Sequence, residues 1–152
     1  MCVSVIKMQA GFYLIDNELD CEKENILFSE KKEKYSVDLR EKVLLFAVDS
    51  IKFIYSIPNK KEYDVFRYQY SKCSTSIGAN YEEAQASSIK EFIQKLRIAL
   101  REANESKYWL KIMEHLDVGN GEKRKYLIHE VSEISRMLGA SVSRLSVKIQ
   151  SN

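Results

Sequence analysis

From Leu127 to Lys148 the chain repeats one rhythm: Leu127, Val131, Ile134, Leu138, Ser141, Leu145 and Lys148 stand at alternating steps of four and three. Only an α-helix brings such positions onto one side, and the strict alternation is the knobs-into-holes spacing of a helical bundle. Val142 and Ile149 run alongside it. Few residues upstream can interrupt helices, because 152 residues include one Pro and five Gly. A chain of this length fits one domain, and an apolar fraction of 45% supplies enough side chains for a core.

The same period divides the rest of the chain. Leu39, Val43, Phe46, Ser50 and Ile54 form one stripe, with Val37, Leu44, Val48, Ile51 and Tyr55 forming a second beside it. A bundle helix needs one apolar stripe, so the second predicts contact with a further helix or another subunit. Pro58 ends this helix. A second helix, begun near Glu62 or Asp64, carries Tyr63, Phe66, Tyr70, Cys73, Ile77 and Tyr81 inward. The third, about residues 89–116, opens at Ser87 or Ser88, with Glu91 completing a capping box, and turns Ile89, Phe92, Leu96, Ala99, Ala103, Leu110 and Met113 to the core. D-V-G-N-G-E is a turn with Gly119 as C-terminal cap, and the fourth helix covers about Glu122 to Ile149. Short loops make sequence neighbours antiparallel. The expected fold is therefore an all-α, up-down-up-down four-helix bundle over residues 34–152, preceded by a weakly structured leader, residues 1–33.

Charge separates the same two parts. Residues 1–33 hold four Lys against seven Asp and Glu, which leaves 20 basic and 15 acidic residues for the remainder. The body is mildly basic, which permits contact with phosphate without demanding it. Lys90, Arg97 and Arg101 form a basic line on the third helix, with Lys107 and Lys111 as a second pair. Such a line suits a phosphate backbone, or it pairs with Glu and Asp on the same or the next helix.

Inside the second helix, S-T-S-I-G-A-N-Y-E-E-A-Q sets small residues where helix formers are usual. Ser74, Ser76, Gly78 and Ala79 remove bulk, and the reading adopted is close helix packing, since no His is near in sequence to activate a serine. Asn80 and Glu83 lie one turn apart beside this patch, and Arg97 or Arg101 is the expected partner of Glu83.

No catalytic constellation emerges. His115 and His129 lack companions at ligand spacing, the E-x-x-H pair of carboxylate-bridged bundles is absent, and no phosphate-binding glycine loop or nucleophile elbow occurs. The reading has no enzyme, metal or cofactor. Cys2, Cys21 and Cys73 form no pair motif, which fits reduced cytoplasmic thiols. Lys7 interrupts the apolar start and no basic region precedes it, so a signal peptide is not expected; nor is any run long enough to cross a bilayer.

T-S-I-G-A-N-Y-E-E-A-Q, preceded by Gln69 and followed by E-F-I-Q-K-L-R-I-A-L-R-E-A-N-E-S-K-Y-W-L, resembles the 23S rRNA intervening-sequence protein family of four-helix bundles over about residues 35–149. The resemblance implies a homo-oligomer, a pentameric barrel, without established enzymatic activity. Related accessory proteins of diversity-generating retroelements are basic barrels that bind nucleic acid and a reverse transcriptase. Where that family carries a basic run this chain has Q-A-S-S-I-K, and the arginine expected after Gln69 is Lys72. The expected ligand contacts are Lys72, Lys90, Arg97, Arg101, Lys107 and Lys111, holding RNA or DNA backbone; Gln69, Asn80 and Glu83 are structural. The alternative is a protein-interaction scaffold whose charges only maintain solubility.

Overall fold

The computed structural model describes the backbone of residues 39–150 and side chains up to residue 147. The leader expected over residues 1–33 lies outside the described residues. Four helices follow in order: α1, residues 39–54; α2, Asp64–Gln85; α3, Ile89–His115; and α4, Gly121–Gln150, with a short 3-10 turn, Lys61–Tyr63, before α2. No strand occurs among the described residues.

Cross-helix pairs give the topology. Arg40 meets Glu82 and Ser50 meets Tyr70, so α1 and α2 are antiparallel. Cys73 meets Ser106 and Glu83 meets Lys95, which makes α2 and α3 antiparallel in turn. Arg97 reaches Ser146 across α3 and α4. Lys42 to Glu130 and Asp49 to Lys123 bring α1 back against α4. The ring of four is closed and runs up-down-up-down.

The interior is built from the stripes that the periodicity marks. Leu39, Val43 and Phe46 of α1, Tyr70 and Ile77 of α2, Leu96 and Leu110 of α3, and Leu127, Val131, Ile134 and Leu138 of α4 are all buried. Two assignments shift. The α1 stripe closes on Phe53 and Ile57, not on Ile54, which is half-buried, because the rhythm continues from Ser50 by a step of three. Ile89 is 69% exposed, and Ile93 takes the inward place. The cap explains it: Glu91 accepts hydrogen bonds from the Ser88 N–H and hydroxyl, at 3.1 and 2.7 Å, which fixes Ile89 at the first helical position on the outer side. Phe92, Ser141 and Leu145 are half-buried.

The core also contains polar bridges, of which the Cys73–Ser106 contact is one and a hydroxyl pair between α1 and α2 another. Ser50 Oγ and Tyr70 Oη are 2.7 Å apart with both residues fully buried, so each hydroxyl is satisfied where water cannot reach. At the end of α3, Arg124 reaches out from α4 with only its tip in use: Nη1 donates to the Val118 carbonyl at 2.6 Å and Nη2 to Asp117 at 3.2 Å. Asn120 Oδ1 accepts the Lys123 N–H and starts α4. Ser56, beyond α1, accepts the Asn120 N–H at 2.9 Å and ties the far end of α1 to this turn.

Candidate functional site

The two sides of α3 differ in chemistry. Ile93, Leu96, Ala99, Ala103, Ser106, Leu110 and Met113 face inward. On the opposite side the heptad step recurs with polar residues: Lys90, Gln94, Arg97, Arg101, Asn104, Tyr108, Lys111 and His115 follow one another by four and three. All eight are exposed, and none is a carboxylate. At a rise of 1.5 Å per residue the row is about 37 Å long. Lys90, Arg97, Arg101 and Lys111 thus share one face.

The other two basic candidates lie off this row. Lys72 is on α2, across the seam from Glu102, and Lys107 is half-buried on the flank of α3. Burial and then the charge of Glu105 raise the Glu102 carboxyl above the ordinary glutamate range, while Lys72 and Arg101 pull it the other way.

Ion pairing bears on the alternative in which the basic line pairs with Glu and Asp. Arg40, Lys42, Lys52, Arg67, Lys95, Lys123, Arg124 and Arg136 each lie within 4.0 Å of a carboxylate. Among the described residues, none of Lys72, Lys90, Arg97, Arg101, Lys107 and Lys111 does. Among the described residues, Arg97 donates to the Ser146 hydroxyl at 3.2 Å. Arg40, Lys42, Lys95 and Lys123 therefore join helices, whereas Lys72, Lys90, Arg97, Arg101 and Lys111 are exposed to solvent.

The polar trio of α2 is placed differently from the expectation. Glu83 pairs with Lys95, not with Arg97 or Arg101, because Lys95 turns toward α2 whereas the two arginines point away from it. The pair is largely exposed, and such pairs are worth about 0–1 kcal/mol after solvent screening. Asn80 Nδ2 donates to the Ser76 carbonyl one turn back, at 2.8 Å, and Gln69 is half-buried.

The small-residue patch is divided as well. Ser74 is fully buried and bonds to the Ser71 carbonyl. Gly78 faces α1, but a Cβ there would meet Val43 at 3.8–3.9 Å, an ordinary contact, so close approach inside the bundle does not require glycine. Thr75 and Ala79 are exposed; with Gly78 they line a shallow groove whose other wall is Val43, Leu44 and Ala47. Leu44, Leu45, Val48 and Tyr55 are exposed on α1, which leaves its outer arc apolar. Leu45 belongs to this arc although it is absent from the stripes read in the sequence.

Burial pushes the Cys73 thiol up to about 11, against a hydrogen bond from Ser106, so it is an unreactive core group. Among the described residues no three His, Cys, Asp or Glu are grouped to hold a metal ion, and no helix is long and apolar enough to cross a membrane. Tyr108, Gln94 and Asn104 escape a search for charge alone; applying the heptad step to the outer residues finds them.

The described residues thus form an antiparallel four-helix bundle with a row free of ion pairs among them on α3 and an exposed apolar arc on α1. The chain belongs to the 23S rRNA-intervening sequence protein family, which it matches over residues 36–140. It is similar to a Bacteroides thetaiotaomicron protein of solved structure, described as a protein with unknown function from the S23 ribosomal protein family. The two share 33% identity with a TM-score of 0.64, over 68% of this chain and 97% of the other. A search of curated proteins returned no match.

Proposed function

We propose that this chain is a non-enzymatic, self-associating bundle of the cytoplasm that holds RNA or DNA by its backbone, without reading sequence, along the outer face of α3. The observation that carries the reading is the row containing Lys90, Arg97, Arg101 and Lys111, free of carboxylates and of ion pairs among the described residues. Lys72 and Lys107 add charge at its margins. Phosphate contacts position a strand without identifying it, which suits lysine and arginine on a rigid rod. Copies joined through the apolar arc of α1, as in the expected pentamer, repeat the row and add their fields.

Salt dependence tests this. Four phosphate contacts give a slope of about −2.8 to −3.6 in log affinity against log salt, so binding weakens about 50- to 150-fold between about 50 and 200 mM. Replacing Arg97 and Arg101 by Gln flattens the slope by about two. Binding that barely responds to salt, or a double variant equal to the parent, contradicts the proposal.

A second reading draws on Leu44, Leu45, Val48 and Tyr55: the uncovered α1 arc serves as a scaffold for a protein partner, such as a reverse transcriptase, with no nucleic acid involved. Capture of a partner that survives nuclease treatment and fails with Leu44→Glu favours it.

A further inference from the structure

We infer that the α3 face takes a single strand and stacks one of its bases on Tyr108, an assignment that rests on the nucleic-acid reading above and specifies its ligand. Tyr108 is 61% exposed, yet its ring is braced. Trp109 meets it edge-on at 5.9 Å and 65°, Phe66 meets Trp109 at 6.1 Å, and Tyr63 stacks on Phe66 at 5.9 Å. The indole N–H of Trp109 donates to Glu105, and the Lys60 ammonium lies 5.9 Å from the centre of the Tyr63 ring. Four rings therefore link α2 to α3 and end in one open to solvent.

Its position sets it apart from the other exposed tyrosines. Tyr126 lies beside Glu130 and Asp49, whose charges, after burial, push its phenol up. Tyr55 lies in the apolar arc of α1, and Tyr68 is on α2. Tyr108 alone stands in the basic row, three residues before Lys111 and seven after Arg101, about 4.5 and 10 Å along the axis. A π-face between cations is the arrangement that holds a phosphate chain while a base stacks on an aromatic ring. A duplex keeps its bases stacked on each other and offers this ring only backbone. Two side-chain torsions make tyrosine a stiff platform that loses little freedom on binding.

The test uses the full chain and labelled oligonucleotides of about 12 residues, single-stranded oligo-U and oligo-dT and the matched RNA and DNA duplexes, by fluorescence anisotropy. Trp109 is the only tryptophan, so its emission reports engagement beside Tyr108 independently. Single strands should bind about tenfold tighter than duplexes and quench Trp109. Tyr108→Ala should weaken single-strand binding about tenfold with the salt slope unchanged, and Tyr108→Phe should restore it. The RNA and DNA arms identify the sugar preferred, and a single-strand preference in either supports the assignment. Equal binding by Tyr108→Ala and parent, or duplexes bound as tightly as single strands, overturns the stacking role while leaving backbone contact in place. No binding by any oligonucleotide overturns both.

Discussion

Gly119 has φ of +78°, and a Cβ built on it would lie 2.8 Å from Phe53 Cζ. Backbone and neighbour therefore exclude a side chain for separate reasons. Gly119→Ala should destabilise the fold by about 1–3 kcal/mol, seen as a lower melting temperature, through left-handed strain and displacement of Phe53 from the core. Half of this is readable in the sequence, where a glycine after the third helix marks a cap. The other half is not, because Phe53 is 66 positions earlier and only packing brings it there. Glu83 teaches the same limit: its need for a cation is readable, but the choice of Lys95 over Arg97 depends on a rotation of about 200° around the α3 axis that spacing alone does not orient toward α2.

At the scale of helices, α1 and α2 enclose the groove lined by Leu44, Ala47, Thr75, Gly78 and Ala79. Since a Cβ on Gly78 has ordinary contacts, Gly78→Ala should raise stability by about 0.5–1 kcal/mol through helix propensity. If self-association uses this groove, the same variant partly fills it and should reduce the oligomer measured by light scattering while its melting temperature rises. A fall in both would place the glycine in a seam internal to the bundle. Helix number, order and inward faces were legible because burial writes a period into every long helix. Boundaries at Ser88 and Pro58 were legible because caps and breakers are local chemistry. The eight-residue row of α3 was legible only in part: charge marked Lys90, Arg97 and Arg101, whereas Tyr108 and Asn104 acquire meaning from being exposed alongside them.

For the molecule as a whole, ring closure between α1 and α4 includes Lys42–Glu130 and Lys123–Asp49. Burial opposes the charge on Glu130, but hydrogen bonds from Lys42 and His129 outweigh it and hold the carboxyl below its ordinary value of 4.5. A depressed folded pKa means that Glu130 adds stability above its unfolded pKa and loses that contribution as pH falls through the folded one. Thermal melts should show Glu130→Gln less stable than the parent near neutrality, with the gap shrinking below about pH 4.5. Glu102 acts with opposite sign, since its raised pKa makes protonation favour the fold, and the single-site comparison separates the two. The row on α3 stands outside these constraints. Its eight side chains project from a rod whose integrity is secured on the reverse side, so they can be re-lettered as a set with little penalty to the architecture. In laboratory hands, that strip is a handle on which a different recognition chemistry could be grafted.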